Sequence, residues 1–272
     1  MIEFIADKNR KLSKLALVKC EDLSFSALQK LLRNKDVKVN GKRVGQDVLL
    51  EVGDKVTLFY NPKETEKFSE LFVDDNVLVI YKKKGYTSES VFESVTKKYP
   101  NSFFIHRLDR NTDGIMIFAL NEKASEELLF GFKNHDFIKK YSALVYGVMP
   151  KQKDLLTAYL LKDSESSTVK IFDKKVSGSV EIKTGYEVVS KMQDCSLLKV
   201  TLYTGKTHQI RAHLAHIGHF IIGDGKYGDK AINEQKGAKK QHLTACLLTL
   251  KFQPKSPLYY LNDRTFEIGG AI

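Results

Sequence analysis

Apolar residues fall at two spacings along this chain, and the spacing changes mark its elements. Leu28, Leu31 and Leu32 share one helical face behind Ser24 or Ser26, either of which can cap a helix. Val37 and Val39 then alternate with Asp36, Lys38 and Asn40, and Asn40-Gly41 before Lys42-Arg43-Val44 is a two-residue hairpin signal. Residues 55–60 read as a strand, whereas 61–71 lack periodicity and read as a linker. The expected division is a small domain over 1–61, a linker over 62–71 and a large domain over 72–272. In the large domain, 76–81, 102–105 and 115–119 are apolar, β-branched runs, and 141–148, 180–189 and 196–203 suggest further strands. Helical spacing is clearer at 121–132 and at 207–217, where Ile210, Leu214 and Ile217 fall at i, i+4 and i+7. Strands outnumber helices without regular βαβ alternation, so the expected class is α+β on a mostly antiparallel, mixed sheet.

Composition narrows the class of partner. With 272 residues, 42% of them hydrophobic, the chain can bury a sizeable core, which argues against disorder and collagen-like order. No apolar run reaches the roughly 18 residues of a membrane helix, and the first residues lack a signal-peptide pattern, so a cytoplasmic protein off the membrane is expected. The 3 cysteines, Cys20, Cys195 and Cys246, are far apart and without Cys-x-x-Cys, a pattern of core thiols rather than a disulfide framework or zinc ribbon. The 44 Lys+Arg against 33 Asp+Glu give +11, which fits a nucleic-acid partner or a solvated lysine-rich surface. A hairpin tip with Lys38, Lys42 and Arg43 beside a helix bearing Lys30 and Arg33 would form one basic face. A monomer is expected.

The densest polar segment between apolar runs is residues 106–114, a loop on rigid supports where reactive groups are well placed. Asp109 can serve there as nucleophile or general acid-base, with Arg107 and Arg110 on phosphates; it can equally be a turn-forming Asp paired with an Arg. His213, His216 and His219 raise a metal site, but Gly218 should end their helix and no carboxylate stands at ligand spacing, so no metal is expected. His106 is read as a packing residue.

The order Lys11-Leu12-Ser13-Lys14-Leu15, Ser24-Phe25-Ser26, Val37 to Lys42 and Val52 to Val56 resembles the alpha-L RNA-binding domain of a small-subunit ribosomal protein, with Ser13 and Phe25 standing where that family usually has Asp and Arg. Phe104 to Gly114 resembles the signature of the RluA family of RNA pseudouridine synthases. Lys139 to Gly147, with Tyr141, is similar to that family's tyrosine-bearing strand; Thr204 to Leu214, with Arg211, to its arginine-bearing turn and helix; Gly223 to Gly228 follows in the same order. The departures are Lys82-Lys83-Lys84-Gly85 for Lys-Pro, Asp113 for Ser, Lys206 for Arg and Thr244 for His. The resemblance implies a pseudouridine synthase domain that isomerises uridine in structured RNA, most often large-subunit ribosomal RNA with transfer RNA the other class, using no cofactor. It implies Asp109 as the covalent catalyst, at C1′ or C6, and Arg211 as the partner that keeps it ionised, a task that suits an arginine because it can grip a carboxylate through two donors. Tyr141 would stack on the flipped base and take the C5 proton, and Arg107 would fill the vacated gap. Arg110, Lys139, Lys206, His208 and Gln209 would bind RNA, as would the basic face of the small domain. The competing reading is a non-catalytic RNA-binding or ribosome-assembly protein on the same fold, with a metal-dependent nuclease using Asp109 and Asp113 behind it.

Overall fold

The computed structural model describes residues 1–20, 23–60, 66–163 and 167–269, and the chain divides into two compact units, Met1–Glu66 and Lys67–Ile272. The first unit runs β1 (Ile2–Ile5), β2 (Arg10–Lys11), α1 (Leu12–Lys19), α2 (Phe25–Arg33), β3 (Val37–Val39), β4 (Lys42–Arg43), β5 (Leu49–Leu50) and β6 (Lys55–Leu58). Ser24 caps α2 by accepting the Ala27 N–H, and the Asp47 carboxylate takes the Ser13 N–H and hydroxyl near the start of α1. Asn40 and Gly41, both at positive φ, turn β3 into β4. Leu12, Leu15, Leu28, Leu32, Val37, Val56 and Leu58 close the small core. Lys30, Arg33 and Lys42 are exposed, while Lys38 and Arg43 both lie over the Phe59 ring.

Among the described residues the second unit is built on one 11-stranded sheet. In chain order it contains β7 (Phe68–Val73), β8 (Val77–Lys82), α3 (Ser88–Lys98), β9 (Phe103–Phe104), β10 (Asp113–Ala119), α4 (Glu122–Lys133), β11 (Ile138–Tyr146), β12 (Lys153–Asp163) and β13 (Thr168–Phe172). It continues through β14 (Val180–Lys191), β15 (Cys195–Leu202), α5 (Gln209–His216), α6 (Lys230–Gln235), β16 (Leu243–Thr249), a 3-10 turn (Tyr259–Leu261) and β17 (Thr265–Glu267). The strand order is β13-β12-β14-β15-β11-β16-β10-β8-β7, with β9 on β10 and β17 on β16. Among the described residues only β10 and β16 pair in parallel. The α+β class on a mostly antiparallel sheet is therefore observed. The linker is corrected in part: residues 61–65 lie outside the described residues, but Phe68 to Leu71 form the first part of β7, paired with β8.

The unbroken apolar runs have a physical reason. In β8 and β10, Val77, Val79, Ile115 and Ile117 pack on one face with Ala124 and Leu128 of α4, and Leu78, Ile80, Met116 and Phe118 pack on the other with Val91 and Val95 of α3. Strands covered on both sides need no polar alternation. In the other half of the sheet, Ile210 and Leu214 of α5 pack on Ala143, Val145, Leu198 and Val200.

Where β10 meets β16 the backbones approach so closely that a Cβ on Gly114, at φ +118°, would lie 2.2 Å from the Ala245 carbonyl oxygen. Gly114→Ala should therefore destabilise the protein by about 2–4 kcal/mol through strain and overlap. Urea unfolding checks this, and a wild-type midpoint would show that the backbone can yield.

Candidate active site

Asp109 lies on the loop between β9 and β10, and hydrogen bonds within the loop and from neighbouring elements fix it. The buried Ser88 hydroxyl donates to the Leu108 carbonyl and accepts the Leu108 N–H, both at 2.8 Å. Thr112 N–H donates to the Asp109 carbonyl, closing a turn, and Gln241 donates to the Thr112 hydroxyl. Lys82, at the end of β8, is wholly buried and its ammonium donates to the carbonyls of Lys83, Tyr86 and Arg110 at 3.2, 2.8 and 3.2 Å. Burial pulls its pKa down to about 8 against the pull of Asp113 and Asp109.

The Asp109 carboxylate is 22% exposed, and its Oδ2 accepts from Arg211 Nη1 at 2.7 Å. The arginine does not grip Asp109 with two donors, as its planar fork led one to expect. Its Nε and Nη2 are spent on the two oxygens of Asp224, at 2.6 and 2.8 Å, which leaves Nη1 for Asp109. Asp224 is 0% exposed and also accepts the N–H groups of Lys226 and Tyr227. Burial pushes the Asp224 carboxyl upward, but Arg211 and the two N–H groups outweigh it and hold the pKa below the ordinary value. Burial likewise works against the Arg211 charge, and the two carboxylates overcome it and raise its pKa.

Tyr141 stands in β11 at a register shift between Lys140 and Tyr141, where the strand passes between β15 and β16. Such a bulge re-aims a side chain. The ring is half-buried, and its hydroxyl makes no hydrogen bond among the described residues. Burial, then the charge of Asp109, drives the Tyr141 pKa well above that of a free phenol, so the hydroxyl stays protonated.

Asp109, Tyr141 and Arg211 line one pocket of about 430 Å³ together with Arg107, Lys139, Lys206 and His208. Lys133 and His135, absent from the sequence reading, line it too. Arg107 is exposed, 3.5 Å from Glu89, and the Arg110 side chain is exposed. The Lys139 ammonium sits over the Phe132 ring. Gln209, expected to meet RNA, is only 2% exposed: its amide accepts from Thr204 and Lys206 N–H and donates to Lys183 and Thr184, so it closes the start of α5 instead. His208 lies on the pocket, its Nε2 3.9 Å from Asp109 Oδ1. His106 stacks on Phe132 and accepts the Ile117 N–H, and burial, with the charge of Lys139, lowers its pKa to about 3. His213, His216 and His219 part company, bonding Thr184, Asp173 and the Tyr146 carbonyl. Three of the departures noted above meet: Asp113 accepts from Thr244 at 2.7 Å, with Lys84 at 3.5 Å, and from Tyr81.

The family profile described as RNA pseudouridylate synthase matches residues 76–216, more than half of the chain. The ribosomal large subunit pseudouridine synthase C of Vibrio parahaemolyticus serotype O3:K6 is 28% identical over 93% of this chain and 86% of its own. Its namesake in Vibrio cholerae serotype O1 is 30% identical over 83% of this chain and 80% of its own. An uncharacterized RNA pseudouridine synthase of Mycoplasma capricolum is 29% identical over 97% and 96%. Among solved structures, human RNA pseudouridylate synthase domain containing 1 is similar in fold, with a TM-score of 0.61 and 24% identity over 70% of this chain and 80% of that one.

The two carboxylates on Arg211 differ in what their removal exposes. Asp224→Ala leaves a buried guanidinium short of its partner and should lower the unfolding free energy by about 3 kcal/mol. Asp109→Ala, at the open end of the pair, should change it by under about 1 kcal/mol. Chemical denaturation of both variants checks the ranking, and equal losses would refute it.

Proposed function

The chain belongs to the RNA pseudouridylate synthase family and is an RNA pseudouridine synthase, and from that premise we propose that Asp109 is its nucleophile and that its substrate is a uridine in large-subunit ribosomal RNA. The observation that carries the first part is the Asp109 carboxylate in the pocket, oriented by an arginine that Asp224 has already immobilised. The ribosomal target rests on the names of the Vibrio relatives and on the first unit, which we read as an alpha-L RNA-binding module.

A base stacked in a helix cannot reach a carboxylate inside such a pocket, so the nucleotide leaves its stack, at a cost of a few kcal/mol that cationic contacts to the backbone offset. Arg107, Arg110, Lys139 and Lys206, exposed or on the pocket, supply such contacts, and Arg107 occupies the gap left by the base. The N1–C1′ bond breaks, the uracil turns, and C5 joins C1′ while C5 loses a proton and N1 gains one. Asp109 attacks C1′ or C6. Tyr141 lies against the base, and because its phenol is held neutral it takes the C5 proton only by passing its own onward, as a relay rather than a phenolate base.

Asp109→Asn keeps the shape and removes the nucleophile. It should release no tritium from an RNA labelled at uracil C5 while binding that RNA as wild type does; measurable release would overturn the assignment. In the first unit, exchanging Lys30, Arg33 and Lys42 together for Gln should flatten the slope of log affinity against log salt by about 2 to 3. An unchanged slope would remove that face from the RNA contact.

A further inference from the structure

The two oxygens of Asp109 are not equivalent. Oδ2 is held by Arg211 at 2.7 Å, whereas Oδ1 accepts no hydrogen bond among the described residues and has His208 Nε2 3.9 Å away. His208 sits in the left-handed region, φ +55°, at the turn into α5, with its side chain 12% exposed. Its other ring nitrogen, Nδ1, lies 2.9 Å from the Tyr227 hydroxyl. That hydroxyl also accepts the N–H of Val169 at 2.9 Å.

A phenol has one hydrogen to give. With Val169 donating to the Tyr227 oxygen, the phenol hydrogen is free to go to His208 Nδ1, an arrangement in which that nitrogen is the acceptor. In a neutral imidazole the ring hydrogen then resides on Nε2, the nitrogen facing Asp109 Oδ1. Burial, with the charges of Arg211 and Lys226, lowers the His208 pKa against the opposing pull of Asp109 and Asp224, which favours that neutral ring. Tyr227 is placed for this by the turn that serves Arg211: its N–H bonds Asp224, its ring lies 5.2 Å from the Arg211 guanidinium carbon, and it meets the His208 ring edge-on at 5.6 Å.

We propose that His208 is a further catalytic residue, its Nε2–H serving the reacting oxygen Oδ1 of Asp109, and that Tyr227 is the positioning residue that fixes this tautomer. The proposal rests on the reading of Asp109 as the nucleophile. Oδ1, free of hydrogen bonds, keeps a lone pair for bond formation. When it joins C1′, the N1–C1′ electron pair passes to the uracil. When C5 then attacks C1′, the Oδ1–C1′ pair returns to Oδ1, the C5 proton leaves through Tyr141 to water, and N1 takes a proton from water. If attack is at C6 instead, the C5–C6 π pair moves to the C4 carbonyl as an enolate, the N1–C1′ pair passes to N1, the enolate joins C5 to C1′, and loss of the C5 proton restores the C5–C6 double bond as the Oδ1–C6 pair returns to the same oxygen. In both cases charge reappears on Oδ1, where Arg211 does not reach and His208 closes from 3.9 Å to hydrogen-bond distance.

The test uses the full chain and one minimal RNA substrate. Long-range proton–nitrogen spectra of histidine-labelled protein should show His208 with its hydrogen on Nε2, and a shift toward Nδ1 in Tyr227→Phe. His208→Asn tolerates the left-handed backbone and reproduces Nδ1 but has no group at Nε2; it should slow single turnover by about 100-fold. His208→Gln, whose amide reaches the Nε2 position, should restore about 10-fold of that loss, and Tyr227→Phe should cost about 10-fold. The double variant Tyr227→Phe, His208→Asn should be no slower than His208→Asn, and RNA affinity should stay within about 3-fold throughout. A hydrogen on Nδ1 in the wild type, Asn and Gln variants of equal rate, or losses confined to affinity would each overturn the proposal and leave His208 as an RNA contact or a structural residue. Turnover by Asp109→Asn would instead sink the underlying reading; an inert Asp109→Asn beside a full-speed His208→Asn would sink only this one.

Discussion

A guanidinium taken almost out of water has to be met by acceptors on every side it presents, and in this protein the one that is so placed decides where the pocket carboxylate Asp109 points. Arg211 cannot shed its proton to escape burial, so carboxylates come to it: Asp224 wholly buried against Nε and Nη2, and Asp109 at the pocket against Nη1. The orientation of Asp109 is thereby inherited, through Arg211, from the wholly buried Asp224. Asp224 is fixed in turn by the Lys226 and Tyr227 N–H groups and by a turn that follows Ile221, which bridges to Val145 in β11. The same strand carries Tyr141, so acid, arginine and tyrosine share one rigid frame.

The loop bearing Asp109 is treated in the same way from the other side. Its carbonyls would be costly to bury without donors, and Ser88 and Lys82 supply them at Leu108 and Arg110. Holding a lysine with three carbonyl acceptors is an expensive way to brace a loop, and the lowered Lys82 pKa records that expense. What results is a carboxylate with little freedom to turn, which reduces the reorganisation the reaction must supply.

Much of the sheet was legible because β8 and β10 are buried on both faces and therefore read as continuous apolar runs. The strand β12 was not read, since its alternation is shallow and most of its residues are partly exposed; α3 was not read, since only Val91 and Val95 anchor its buried apolar stripe. At the site, Asp109, Tyr141 and Arg211 could be named from motifs, but their partners could not. Asp224 stands between two glycines and reads locally as a turn; nothing nearby says that it is buried against a side chain on another element. Lys82 opens a run of three lysines, a pattern of solvated surface, yet it is the one turned inward. Gln209 and His208 were expected at RNA only through the resemblance of residues 204–214 to the family motif, and nothing in the local sequence says that the turn into α5 points both of them inward.

The charge of the pocket has a consequence for how a nucleotide can enter it. Asp109 on the pocket and Asp224 behind it are met by two buried cations, the Arg211 guanidinium and the Lys82 ammonium, so the inner charges balance inside a chain whose overall balance is +11. Arg107, Lys133, Lys139 and Lys206 line the same pocket and are not paired with those carboxylates. A phosphodiester is attracted to those cations, whereas the balanced charges around Asp109 offer it no such gain, so the field sorts a nucleotide by its parts. The uncharged base travels inward and the charged backbone stays at the cations, a polarity imposed before any hydrogen bond to the uracil has formed.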